Sequence, residues 1–161
     1  MFLFLSQPTI GKELTSFAIE LNKVIDHNNF KIIYKLHPNE FANWREKYSQ
    51  LANTNIEVVD NTQNDLYYYF SISNYQIGVY STALYEGIGY GLKTFILKTF
   101  GYEYIGDLVN KGNAILVESA VDVLEKLDSK VEDVDALRIQ LWKENSVNNI
   151  ATAIKGIIND L

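Results

Sequence analysis

The sequence has no cysteine, two histidines (His27 and His37), two prolines, a single methionine and no long apolar run. Each shortage excludes something. Without cysteine there are no disulfides and no thiolate metal sites, and a reducing cytoplasm is the natural compartment. Two histidines cannot build a multi-histidine metal centre, and no HExxH, GxSxG or GxxxxGK[ST] pattern occurs. No stretch approaches the ~20 apolar residues of a membrane span. The opening MFLFLS lacks a basic flank and soon meets Lys12-Glu13, so neither a signal peptide nor direct membrane insertion is expected. Basic residues number 14 against 20 acidic ones, for a net charge of -6. That balance argues against a general nucleic-acid binder, which needs a basic face to displace counterions.

What is present is an ordinary globular composition. With 161 residues, 47% hydrophobic and 21% charged, the chain can bury a core of its own. Short apolar, β-branched or aromatic runs predict strands at about 2–5, 30–36, 56–59, 75–80, 93–98 and 114–117. Between them, helical spacing predicts helices over about 11–27, 40–52, 64–73, 81–91, 101–112 and 120–127. From 133 to 161 the pattern is helical, with a break near Asn145-Ser146. Strands alternating with helices imply right-handed crossovers and a doubly wound, Rossmann-like parallel sheet of about six strands in a single domain. The expected division is a Rossmann-like domain over 1–132 and carboxy-terminal helices over 133–161.

In such a sheet, ligands bind beyond the carboxyl ends of the strands, at a topological switch point. Three predicted strands deliver polar residues there: Ser6-Gln7, His37 and Ser81-Thr82. His37 precedes Pro38, and proline disfavours the α region for the residue before it, so the imidazole is held on extended backbone. An imidazole so held can donate a hydrogen bond to phosphate, and Lys35, two residues earlier, adds positive charge. A structural histidine before a strand-ending proline fits the dipeptide equally well. Ser81-Thr82 stands where a strand gives way to a helix, a place that suits an N-cap and an anion alike. Glu86 lies one turn beyond Thr82 and outside capping-box spacing from either residue; a carboxylate there can accept both hydroxyls of a ribose. Gly87, Gly89 and Gly91 come too late in their helix to be a dinucleotide fingerprint.

The order strand, KLHP, strand, then IGVYSTALYEGIGYGLKTFIL resembles the carboxy-terminal, donor-binding domain of GT-B-fold glycosyltransferases. It is most similar to bacterial capsule and lipooligosaccharide sialyltransferases and CDP-glycerol glycerophosphotransferases. The resemblance runs from about Phe2 to Leu127. It implies that His37 and Pro38 stand for the family's HP motif and Ser81-Thr82 for its serine motif, both contacting nucleotide phosphates. It further implies that Glu86 holds the donor ribose and that the Ser6-Gln7-Pro8-Thr9 loop approaches the phosphates.

The implied function is donor binding in bacterial surface polysaccharide synthesis, with His37 as the catalytic residue stabilising the departing phosphate. No metal or other cofactor is expected; the donor is a nucleotide-activated sugar or glycerol. GT-B enzymes have two Rossmann-like domains and only one is legible here. The expected partner is therefore an amino-terminal acceptor-binding domain or subunit, the isolated chain is expected to be inactive, and localisation is expected to be cytoplasmic or peripheral to the inner membrane face. The rival readings are a non-catalytic binding or scaffold subunit, half of a GT-B-fold sugar-nucleotide epimerase, and a response-regulator-like module. The last would need a cluster of acidic residues at the end of the first strand, where this chain has Ser6-Gln7.

Overall fold

A computed structural model describes residues 1–129 and 144–159. Six strands form one parallel sheet: β1 (Phe2–Leu5), β2 (Ile32–Lys35), β3 (Glu57–Val59), β4 (Tyr75–Gly78), β5 (Lys93–Leu97) and β6 (Ile115–Val117). Their spatial order is β3-β2-β1-β4-β5-β6. The expected doubly wound, Rossmann-like sheet of six strands is thus the fold observed. β1 lies in the middle, paired from Phe2↔Ile32 to Leu5↔Lys35 on one side and from Phe2↔Tyr75 to Phe4↔Ile77 on the other.

The central strands are apolar without alternation because helices cover both faces of the sheet. Phe2 and Phe4 point to one face, with Tyr34, Ile77 and Phe95. There they meet α1 (Gly11–Val24), the 44–53 segment and α6 (Ala120–Glu125). Leu3 and Leu5 point to the other, with Ile33 and Ile96, against α3 (Leu66–Ile72), α4 (Ala83–Gly89) and α5 (Gly106–Asn110). Each fully buried ring or branched side chain contributes about 1.5–3 kcal/mol on leaving water.

Local chemistry marks the ends of these elements. Asp65 caps α3 through the Tyr68 amide, and Ser119 caps α6 in a capping box with Asp122, as its position predicts. The glycines that close α4 form a Schellman turn. Gly91 takes a left-handed φ of 85° while Leu92 N bonds Gly87 O and Gly91 N bonds Ile88 O. Lys93 Nζ donates to the carbonyls of Lys126 (2.8 Å) and Leu127 (2.5 Å), satisfying the carboxyl end of α6.

One element departs from expectation. In place of a continuous helix over 40–52 there is a 3₁₀ turn (Pro38–Glu40), a single turn of α-helix, α2 (Trp44–Lys47), and a second 3₁₀ turn (Ser49–Asn53). The spacing of Trp44, Tyr48 and Leu51 does place a buried stripe, with Phe41 half-buried against it. However, Glu40 and Tyr48 both turn inward to bond each other, and Tyr48 leaves helical backbone at φ -126°. Tertiary bonding overrides local propensity here. The boundary expected at 132/133 falls outside the described residues. Beyond it, Asn145 has a φ of 58° just before α7 (Ser146–Asn159), consistent with the expected break, and Val147, Ile150, Ile154, Ile157 and Ile158 of α7 are exposed. Among the described residues, no helix is long and apolar enough to cross a membrane.

Candidate functional site

The sheet order creates a switch point between β1 and β4. The chain leaves β1 for α1 on one face and leaves β4 for α4 on the other, so the loops after these strands diverge. The turn after β2 adjoins the loop after β1, and the Ser6 amide bonds the Lys35 carbonyl at 3.0 Å. Ser6-Gln7, His37 and Ser81-Thr82 thus follow three neighbouring strands at one sheet edge.

His37 occupies the N-cap of the Pro38–Glu40 turn on extended backbone (φ -66°, ψ 144°), as proline at the next position dictates. Its Nδ1 accepts the Asn39 amide at 3.2 Å, and its own amide donates to Glu40 Oε2 at 2.9 Å. This is a capping box with histidine in the place usually held by serine or threonine.

Glu40 is the residue that sequence reasoning missed. It is fully buried. Besides the His37 amide it accepts Tyr48 OH at 2.5 Å and Ser6 Oγ at 3.2 Å, both on Oε1. Three donors satisfy a carboxylate that would otherwise be costly to bury. The network continues through Tyr34 OH, which meets Ser6 Oγ (3.2 Å), Thr15 Oγ1 (3.0 Å) and the Gly11 carbonyl (3.3 Å). Burial foremost, then the Glu40 bond and charge, pushes the Tyr48 phenol well above its ordinary pKa; burial does the same for Tyr34. Both therefore stay protonated donors. The close fit requires Gly11, because a Cβ there would overlap Tyr48 OH and stand 2.7 Å from Glu40 Oε1. The available signal was the spacing HPNE, a glutamate three residues after a possible cap.

The other expected site residues are placed as follows. The Ser6 side chain is buried, its hydroxyl engaged by Tyr34 and Glu40 and its amide by the Lys35 carbonyl. Gln7 is half-buried, and its Oε1 makes no hydrogen bond among the described residues. Lys35 Nζ lies 5.0 Å from the centre of the Tyr69 ring, and burial lowers its pKa. Ser81 Oγ accepts the Ala83 amide at 3.3 Å, while Thr82 is exposed and makes no side-chain cap. Glu86 is half-buried beside Tyr67 of α3, whose phenol pKa it raises through a hydrogen bond. A further contact spans the switch point: Thr9 Oγ1 hydrogen-bonds Tyr80 OH. A cavity of ≈ 200 Å³ borders this network at Thr15 and Tyr48, lined also by Lys12 and Lys47.

The fold is similar to that of a solved protein. The C-terminal CMP-Kdo binding domain of WaaA from Acinetobacter baumannii aligns over 89% of this chain and 88% of its own, with a TM-score of 0.56 and 14% sequence identity. The likeness is one of fold. No protein-family model matches the chain. No curated protein matches it either.

Proposed function

We propose that this chain is the nucleotide-sugar (donor) binding domain of a GT-B-type glycosyltransferase of bacterial surface polysaccharide synthesis. The observation that carries the reading is the sheet order, which sets the His37 turn, the Ser6-Gln7 loop and the Ser81-Thr82 loop beside one switch point. The structural neighbour, a CMP-Kdo binding domain, supports a nucleotide-linked sugar as the ligand class.

On this reading the nucleotide phosphates lie against the His37-Pro38 turn and the Ser81-Thr82 loop. Lys35 adds positive charge, and the backbone after Ser6 and Gln7 lines the crevice. Glu86 accepts the ribose hydroxyls, exchanging the Tyr67 phenol for them. In the complete enzyme the phosphate becomes the leaving group, and His37 stabilises the negative charge that grows on it as the glycosidic bond breaks. Donors aimed in advance at developing charge lower a barrier without reorganising. An acceptor-binding domain or subunit supplies the other wall of the cleft, and no metal takes part.

A thermal-shift panel of CMP, CDP, UDP and GDP, with and without a chelator, tests this directly. A nucleotide at 100 times its Kd adds about 2.7 kcal/mol of stability. At least one should raise the melting temperature, and the chelator should leave that rise unchanged. A flat response to every nucleotide would refute the reading.

A further inference from the structure

The hydrogen bonds around His37 determine which form of its ring is on offer. The Asn39 amide donates to Nδ1, so Nδ1 holds a lone pair and the proton of the neutral ring resides on Nε2. Nε2 itself makes no hydrogen bond among the described residues. Pro38 has no amide to give, so the donors of this turn are those of Asn39 and Glu40. The Glu40 amide is taken by the His37 carbonyl at 2.8 Å. A proton on Nδ1 would face the Asn39 N–H, donor against donor, and the cap would be lost.

We propose that His37 serves the nucleotide phosphate as a neutral Nε2–H donor, its tautomer set by the Asn39 amide, with Glu40 as the positioning residue that holds the turn in register with β1. The proposal rests on the nucleotide reading for its ligand, and on the structure alone for the tautomer. Glu40 acts through its grip on the His37 amide and, on its other oxygen, on Ser6 and Tyr48. The ring is thereby fixed to the end of β1 as well as to its own turn. The titratable groups placed about this turn are Glu40, with Tyr48 and Tyr34 behind it and Glu13 of α1 near enough to act on both phenols, and Lys35 on β2 against the Tyr69 ring. The loop after β1 offers only the neutral Ser6, Gln7 and Thr9.

The form of the ring is measurable without ligand. Long-range nitrogen–proton NMR correlations report the tautomer of each imidazole, and His27 is the only other histidine. The apo protein should show His37 with a bare Nδ1 and a protonated Nε2; the opposite tautomer, or an imidazolium at neutral pH, overturns the proposal. The ligand arm uses CMP methyl ester, a phosphodiester whose charge does not change across the range tested. Its affinity should stay within about twofold between about pH 6.5 and 8.5, because a neutral donor persists as pH rises. An imidazolium donor would instead lose roughly tenfold as it deprotonates, which also overturns the proposal.

Glu40→Gln can still accept the His37 amide while its NH₂ donates to the Ser6 and Tyr48 oxygens, so tautomer and affinity should be kept. Glu40→Ala should mix the tautomers and weaken the ester severalfold. An Ala variant that loses thermal stability alone, with tautomer and affinity unchanged, makes Glu40 merely structural and overturns its positioning role. If the wild type binds no nucleotide at all, the proposed function fails, and the NMR result still decides the form of the ring.

Discussion

At the scale of single residues, His37 connects local geometry to ligand chemistry. If its ring meets the phosphate, His37→Ala should weaken binding of a nucleoside diphosphate while leaving the nucleoside nearly unaffected. A hydrogen bond to a charged group is worth ~1.5–3 kcal/mol, or roughly 10- to 100-fold in affinity. Calorimetric titration of both ligands into both proteins measures this, and equal losses would make His37 structural. Glu86 offers a separate test because it already has a partner in Tyr67. Glu86→Gln should lower ribonucleotide affinity by ~1–2 kcal/mol and the 2′-deoxy analogue by less, since one donor to the carboxylate is missing. Equal effects in that two-ligand, two-protein cycle would remove Glu86 from the ribose site.

At the scale of elements, two contacts set how helices and turns seat on the sheet. Gly87 of α4 packs on Gln76 of β4, whose Nε2 bonds the Leu84 carbonyl and Thr94 Oγ1, each at 2.7 Å. A Cβ at position 87 would overlap the Gln76 amide, which is fully buried and so has little room to yield. Gly87→Ala should therefore cost about 1–3 kcal/mol in urea unfolding, and less in a Gln76→Ala background. A neutral Gly87→Ala would show that α4 can slide on the sheet.

The second contact joins α2 to the end of β3. Asp60 accepts Trp44 Nε1 at 2.8 Å and pairs with Arg45 at 3.1 Å. The Trp44 bond first, and Arg45 after it, hold the Asp60 carboxyl below its ordinary pKa. A depressed folded-state pKa gives stability that is present above the unfolded value of ~3.9 and is lost as pH falls through the folded value. Wild type should be more stable than Asp60→Asn at about pH 6, and the gap should shrink at about pH 3 as the carboxyl protonates. A gap that does not depend on pH would assign the effect to shape rather than charge.

At the scale of the whole molecule, the proposed role divides binding from turnover. On that proposal, the single Rossmann-like domain would supply one wall of a donor cleft. The purified 161-residue chain should bind a nucleotide yet transfer no sugar from CMP-, UDP- or GDP-linked donors. Robust transfer by the chain alone, followed by product chromatography, would contradict the need for an acceptor-binding partner.

The sequence by itself determined the alternation of strands and helices, and with it the parallel sheet. The reason is that apolar runs buried on both faces, separated by helix-length segments, admit few other arrangements. It also determined that His37 would sit on extended backbone, because proline restricts its predecessor whatever the surroundings. The tertiary structure alone decided the rest of the site. HPNE reads as a helix start, yet Glu40 turns inward because Tyr48, Ser6 and the His37 amide converge on it from three other points of the chain. Those donors lie as many as 34 residues away in sequence, beyond the reach of any local pattern. The same convergence breaks the expected 40–52 helix, takes the Ser6 hydroxyl into the core and fixes the ring of His37. Local restrictions on backbone and periodicity can be read along the chain; which buried donors find one carboxylate depends on packing of the whole sheet and its helices.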